Sequence, residues 1–129
     1  MTSIFITVLG RPPRKNARGT IVALRGRPRR MTPVATIQWV KRLRSAVPPE
    51  HLGACHRGRW QLEVIVYERR MRHLDVLVPH GDVDSSVSII LDALQPSVLD
   101  DDARVVRAIL SKSFDAAEPR VEITLTRAP

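Results

Sequence analysis

The sequence is poor in cysteine, aromatic residues and lysine. Its one cysteine, Cys55, excludes a disulfide within the chain and favours a reducing, intracellular compartment. Aromatic residues make up only 4% of the chain, so stacking of nucleic-acid bases on Trp or Tyr platforms is not expected as a main binding mode. Arginine accounts for 18 of the 21 basic residues, and its planar guanidinium suits bidentate contacts with phosphate.

Long apolar runs, zinc-ligand clusters and phosphate loops are also missing. The apolar segment 4–9 is too short to cross a bilayer, and no small-residue cleavage site follows it, which predicts a soluble protein that is not exported. No His/Cys cluster has the spacing of zinc ligands, and there is no GxxxxGK(S/T) phosphate loop. We therefore expect no membrane contact and no nucleotide cofactor.

Acidic residues are almost absent from the first part of the chain. Residues 1–72 hold 16 Lys/Arg and 3 Asp/Glu, whereas residues 73–129 hold 5 and 10, and the whole chain has a formal net charge of +8. A basic part of this kind is suited to holding a polyanion, and an acidic part to holding a cation.

The spacing of apolar residues predicts a single α+β domain over residues 1–129, with a mixed or antiparallel sheet and two main helices. The predicted order is strand, basic loop, helix, strand, acidic loop, helix, strand, strand. Strands are predicted at residues 4–9, 60–67, 105–110 and 121–126, and helices at residues 33–47 and 85–95. The last two strands are expected to form an antiparallel pair across residues 115–119.

The basic loop covers residues 10–31 and is rich in Gly, Pro and Arg. Its apolar patch at residues 20–24 is predicted to be a short strand or one arm of a hairpin. The rest is expected to be mobile. Loops longer than about a dozen residues in a compact domain are more often functional or disordered than idle.

Two short segments concentrate the negative charge. Asp82 and Asp84 stand two residues apart before an apolar helical pattern, and Asp100–Asp102 follow that helix. Residues i and i+2 share a face only in an extended segment, so a cation held by both Asp82 and Asp84 requires the helix to begin near Ser85. A third carboxylate from Asp100–Asp102 would complete an oxygen ligand set that suits a hard cation such as Mg²⁺. Such an ion activates water and neutralises charge on a phosphodiester.

Each acidic segment also has a simpler interpretation. An aspartate directly before a helix is commonly its N-terminal cap, and a short acidic run is commonly an exposed turn. On spacing alone, the metal site and these two structural roles all stay open.

The segments DVDSSVSIILDAL and DDARVV together resemble a family pattern. In the RusA family of Holliday junction resolvases, a DxDN segment opens a helix that ends in LDAL, and a DD(S/A)QVV segment follows. The basic segments GRPPRKNARG and GRPRRMTPVAT and the late lysine, Lys112, also fit that family's layout. The resemblance therefore covers nearly the whole chain.

The resemblance implies a RusA-like fold and a homodimeric, Mg²⁺-dependent endonuclease, with Mn²⁺ as a substitute ion. Such an enzyme cuts four-way DNA junctions symmetrically during recombination or repair, in the cytoplasm and in association with the nucleoid. Its metal-binding carboxylates would be Asp82, Asp84 and Asp102, with Asp101 beside them and Asp100 as an extra acid. Lys112 matches a lysine that recurs on the strand after the DD segment and is expected to take part in catalysis.

Basic side chains are expected to hold the DNA through its phosphates, without reading its sequence. The residues concerned lie in the basic loop and directly after the second main strand: Arg11, Arg14, Lys15, Arg18, Arg25, Arg27, Arg29, Arg30, Arg69, Arg70 and Arg72.

The chain departs from the family pattern within the second helix. Ser85 stands in place of an asparagine, and Ser88 stands where the family has a lysine, four residues after Asp84. A lysine there would reach back over the carboxylates and offset developing charge. Either another cation takes this role, or cleavage is reduced or lost and the chain is a junction-binding protein; the candidate cations are Lys112, Arg69, Arg70 and Arg72. A basic protein that binds RNA is a third interpretation, which leaves the acidic segments unexplained.

Overall fold

The computed structural model describes residues 3–13, 21–24, 26–30, 34–68, 83–115 and 118–129, and for residues 21–24, 27–30 and 83–86 it describes the backbone alone. No helix within these ranges is long and apolar enough to cross a membrane. The strands are β1 (Ser3–Leu9), β2 (Ile21–Leu24), β3 (Arg27–Arg30), β4 (Trp60–Glu68), β5 (Val105–Phe114) and β6 (Arg120–Arg127). The helices are α1 (Val34–Ala46) and α2 (Val83–Leu94).

Strict alternation of apolar and polar residues produces the central strands. Along β4, Trp60, Leu62, Val64 and Val66 are buried while the residues between them are partly exposed. The same alternation buries Val121, Ile123 and Leu125 of β6, as well as Ile4, Ile6 and Val8 of β1. Each fully buried aliphatic side chain of this size contributes about 1.5–3 kcal/mol. The predicted strands are confirmed.

The four long strands form one mixed sheet in the order β1-β6-β4-β5. Strand β6 pairs antiparallel with both β1 and β4, whereas β5 pairs parallel with β4. The predicted α+β class is therefore confirmed, but the expected antiparallel pairing of β5 with β6 is wrong. Both edges of β6 are occupied by β1 and β4, and the chain reaches β5 through α2, a crossover that makes β5 parallel to β4.

Both helices cover the buried face of the sheet. Helix α1 buries Trp39 and Leu43 and packs against β1 and α2, and α2 buries Ile90 and Leu94 and packs against β5. Helix α1 ends before Pro48 and Pro49, which cannot continue a helix. The side chains of the two helices and the sheet form one core cluster.

Helix α2 begins at Val83, two residues before the predicted start. Val83 extends the spacing of Val87, Ile90 and Leu94, so the apolar stripe that defines the helix reaches one turn further back than the prediction assumed. Asp84 consequently lies in the first helical turn. The predicted start near Ser85, with Asp84 in an extended segment, is wrong.

The apolar patch of the basic segment is one arm of a hairpin. Strand β2 pairs antiparallel with β3, from Ile21 with Arg30 to Leu24 with Arg27. Gly26 occupies the turn at a φ of 74°, which glycine adopts without strain. The prediction of a hairpin arm is confirmed, but residues 27–30 are a strand and not loop, because the backbone of β2 supplies their hydrogen-bonding partners.

Candidate active site

The acidic segment after α2 is held against the residues that lead into β4. The amides of Val98 and Leu99 donate to the carbonyl of Leu94, at 2.9 and 3.1 Å, so the chain turns sharply where the helix ends. The Cys55 amide then donates to the Val98 carbonyl at 3.0 Å, and Cys55 forms a parallel bridge with Leu99. Asp100–Asp102 therefore lie where β4 and β5 begin.

The three aspartates of this segment have different surroundings. Asp100 binds the guanidinium of Arg104, with Nη2 of the arginine 2.9 Å from Oδ2, and this hydrogen bond lowers the pKa of Asp100. Asp101 caps the short 3-10 turn Asp102–Arg104, since its Oδ1 accepts a bond from the Ala103 amide at 2.9 Å. Asp102 is exposed and makes no side-chain hydrogen bond or ion pair within the described part of the chain. Among the described contacts, Asp102 keeps both carboxylate oxygens open to a ligand and Asp101 keeps one.

The other proposed ligands come from the start of α2. Asp82 lies outside the described residues, and only the backbone of Asp84 is described. A carboxylate in the first turn of a helix is stabilised by the positive end of the helix dipole. That position suits Asp84 whether or not it also binds a cation.

The convergence of the three proposed ligands stays a prediction. Asp84 and Leu94 lie ten residues apart in α2, about 15 Å along its axis. Among side chains that the structure describes, no group of three or more His, Cys, Asp or Glu is placed to hold a metal ion, and those of Asp82 and Asp84 are not among them. The turn at residues 95–102 holds Asp102 where β4 and β5 begin, after the C-terminal end of α2, so the described residues do not show Asp102 beside Asp84.

Lys112 lies toward the far end of β5 from the acidic turn. It pairs with Val66 in the sheet register, whereas Arg107 pairs with Gln61 near the other end. Five residues of extended chain separate Arg107 from Lys112, about 16 Å, and Asp102 precedes Arg107. The structure therefore does not bring Lys112 beside Asp102, and any catalytic role of this lysine belongs to the opposite end of the strand.

Arg11 is the one predicted phosphate ligand whose side chain is described. Its Nη2 lies 3.4 Å from Oε1 of Glu68, and its side chain is half-exposed. The hairpin strand β3 carries Arg27, Arg29 and Arg30, as backbone only. The remaining predicted contacts lie outside the described residues: Arg14, Lys15, Arg18, Arg25, Arg69, Arg70 and Arg72.

Two of the three basic residues of α1 bind neighbouring segments, and the third is exposed. Arg44 donates from Nε to the Ala93 carbonyl at 3.1 Å and from Nη2 to the Gln95 carbonyl at 3.4 Å, so it binds the C-terminal end of α2. Arg42 donates to the Leu9 carbonyl at 2.9 Å. Lys41 is exposed and stays accessible to a phosphate.

Two charged residues with structural roles were missed by the sequence prediction. Glu68 continues the buried side of β4 after Val66, and its side chain is 8% exposed. The alternation along β4 would have identified it, because an acidic residue stands at a position where the pattern requires an apolar one. Arg104 was missed because its contact with Asp100 depends on the turn between α2 and β5.

The fold and the charge distribution favour a protein that binds nucleic acid. A basic α+β domain presents an acidic turn with one uncommitted carboxylate, an arrangement that suits action on a phosphate backbone.

A comparison with protein families identifies the family. The family model described as endodeoxyribonuclease RusA matches residues 11–126. The chain belongs to the RusA family, whose members are endodeoxyribonucleases that act on branched DNA and generally depend on a divalent metal. A search of curated proteins finds no match.

Proposed function

We propose that the protein is a Mg²⁺-dependent, structure-selective endonuclease that resolves four-way Holliday junctions during recombination or repair. The observation that carries the proposal is the match to the RusA family over residues 11–126, within which the exposed Asp102 makes no side-chain hydrogen bond or ion pair among the described residues. The reaction is hydrolysis of a phosphodiester bond. We place it in the cytoplasm, in association with the nucleoid.

The donor chemistry of the acidic residues fits a hard divalent cation. These ions prefer carboxylate oxygen and water, so Asp82, Asp84 and Asp102 remain the proposed ligands of Mg²⁺, with Mn²⁺ as a substitute. Because Asp84 lies in the first turn of α2, it cannot share an ion with Asp82 as an extended pair, and Asp82 would have to reach the ion from the residue before the helix. Asp101 keeps one carboxylate oxygen available beside Asp102, since only its Oδ1 serves as a cap. Asp100 is the least suitable ligand, because both of its oxygens bind Arg104. When bound, the ion supplies an activated water and neutralises charge on the phosphate.

Basic residues of the first part of the chain would hold the junction. Residues 1–72 carry most of the positive charge, and the half-exposed Arg11 presents a fixed guanidinium at the start of the basic segment. Neutralised phosphates release counterions, so binding should weaken steeply as salt increases. Two strands of a four-way junction are related by symmetry, and we infer that two copies of the chain form a homodimer to cut them.

A second candidate function is junction binding without cleavage. Ser88 is partly buried in α2, four residues after Asp84, and it cannot supply the positive charge of the family's lysine. Lys112 is not beside Asp102 to replace that charge there. This candidate predicts salt-dependent affinity for junctions and no nicking.

One experiment separates the two functions. The purified protein is incubated with a labelled four-way junction, with Mg²⁺ or with EDTA, and with a linear duplex of the same sequence as control. Paired nicks on opposing strands of the junction only in Mg²⁺ support the proposed nuclease. Tight binding without nicks at any Mg²⁺ concentration supports the second function instead.

A further inference from the structure

Arg104 connects three parts of the chain around the acidic turn. Its Nε and Nη2 bind the two carboxylate oxygens of Asp100, and its Nη1 donates to the Gly58 carbonyl at 3.3 Å. The guanidinium thus forms a bidentate pair within the acidic segment and reaches across to the residue two positions before β4. Bidentate arginine–carboxylate pairs fix geometry more strongly than single contacts.

The position of Gly58 is itself tightly defined. Its φ is 83°, a conformation that side-chain-bearing residues rarely adopt, and a Cβ there would lie 3.1 Å from Nη2 of Arg127. The carbonyl that accepts from Arg104 therefore belongs to a close-packed glycine turn two residues before β4. Through this hydrogen bond, Arg104 connects the acidic turn to the segment that leads into β4.

We propose that Arg104 is a positioning residue that holds the turn at residues 100–104 in the conformation in which Asp102 is presented to a divalent cation. The inference rests on the proposed function, because it assigns a role toward the metal of that site. By binding both oxygens of Asp100, Arg104 also leaves Asp102 and one oxygen of Asp101 as the accessible ligands of this turn. Arg104 does not touch the reacting atoms.

The location of the pair indicates that its effect is local. The side chains of Asp100 and Arg104 are 39% and 33% exposed, and exposed ion pairs of this kind contribute little to the stability of a whole fold. Loss of the pair should therefore loosen the turn without unfolding the domain. A free turn must be ordered when the cation binds, so the cost appears as weaker metal binding.

The test compares Arg104→Gln and Arg104→Lys with the parent and with Arg107→Gln. Arg107 is an exposed arginine three residues further along, with no hydrogen bond or ion pair among the described residues, so it controls for the loss of one positive charge. Two quantities are measured: binding of Mn²⁺ to the DNA-free protein by titration calorimetry, and the rate of junction cleavage as a function of Mg²⁺. Thermal melting verifies that each variant is folded.

The inference predicts a shift in metal dependence. Arg104→Gln should weaken Mn²⁺ binding and raise the half-saturating Mg²⁺ concentration by about 10-fold, with the rate at saturating Mg²⁺ within about twofold of the parent. Arg104→Lys should recover part of the affinity, and Arg107→Gln should match the parent. Asp100→Asn should reproduce the effect of Arg104→Gln, and the double variant should be no worse than either single one, since the two residues act as a unit.

The negative results of this test lead to different conclusions. If the parent binds Mn²⁺ through Asp102 but Arg104→Gln leaves both curves unchanged, the positioning role is wrong and the proposed function stands. A lower rate at saturating Mg²⁺ with an unchanged half-saturating concentration also overturns the positioning role. If the parent neither binds Mn²⁺ nor cuts junctions, the proposed nuclease is wrong and the inference falls with it.

Discussion

Nη2 of Arg11 lies 3.4 Å from Oε1 of Glu68, and the two side chains differ sharply in burial, at 50% and 8% exposed. The second oxygen of Glu68, Oε2, is buried without a hydrogen-bond partner in the part of the chain that the structure describes. This pair connects the start of the basic segment to the last residue of β4. A buried carboxylate lowers stability unless it is paired. Loss of Arg11 should therefore reduce the stability of the fold more than loss of Glu68.

Removing either partner should therefore have unequal effects on stability. Arg11→Met leaves a buried carboxylate without its cation and should lower the free energy of unfolding by about 3 kcal/mol. Glu68→Gln leaves a half-exposed arginine in contact with water and should cost less than about 1 kcal/mol. Urea unfolding measures both, and equal losses from the two variants would contradict the asymmetry.

Asp82→Asn should abolish cleavage while leaving junction binding intact or stronger. The substitution removes a proposed metal ligand, and loss of a negative charge near phosphate does not weaken attraction between protein and DNA. Asp102→Asn should behave in the same way, with a loss of at least about 100-fold in rate. The control is Asp92→Asn, an exposed position on α2. Undiminished cleavage by Asp82→Asn shows that the ligand assignment is wrong.

Ser88→Lys should raise the cleavage rate. A lysine one helical turn after Asp84 reaches back over the start of α2, where it can offset charge that develops on the phosphate. We expect an increase of about 10-fold, which corresponds to about 1.4 kcal/mol of transition-state stabilisation. Ser86→Lys adds the same charge two residues after Asp84, on a different side of the helix, and should leave the rate unchanged. Equal effects of the two variants would mean that charge alone, and not position, is responsible.

Cys55 should be unreactive in the folded protein. Its side chain is fully buried, and burial raises the pKa of the thiol from its ordinary value of 9.0 to about 11. Ellman's reagent at pH 8 should therefore label no thiol in the native state and one thiol per chain in guanidinium chloride. Rapid labelling of the native protein would show that the residue is accessible.

The same thiol makes stability dependent on pH at the alkaline end. Between pH 9 and about 11 the folded state keeps a proton that the unfolded chain loses. This contribution to stability is fully present below pH 9 and is lost as the pH rises through the folded-state value. Comparison of urea midpoints at pH 8 and pH 10 for the parent and Cys55→Ala isolates the effect, because only the parent carries the thiol.

Local periodicity was sufficient to predict most elements of the fold. The alternation along β4 and β6 reflects burial of one face, so those strands were found directly from the sequence. Periodicity does not show which strands are adjacent in the sheet. For that reason the position of β4 between β5 and β6 was not predicted. Strand β3 was missed because its sequence, RPRR, has no apolar pattern and is ordered by the backbone of β2.

The candidate site was likewise predicted only in part from the sequence. The aspartates were found from their spacing and from the resemblance to the family. Their individual states were not, because the binding of Asp100 by Arg104 and the cap formed by Asp101 depend on a turn closed by contacts between distant segments. Only Asp102 has both carboxylate oxygens available among the described contacts, and nothing in the run of three acids distinguishes it from its neighbours without a family pattern.

The pairing of β1 with β6 has a consequence for how the protein folds. Residues 3–9 pair with residues 120–126, and β6 lies between β1 and β4, so the first strand has no partner in the sheet until β6 is present. Contacts between such distant parts of a chain have a high entropic cost of loop closure and slow folding. Ile4, Ile6 and Val8 therefore reach their buried positions in the sheet only once β6 has formed, so docking of β1 is a late step of folding.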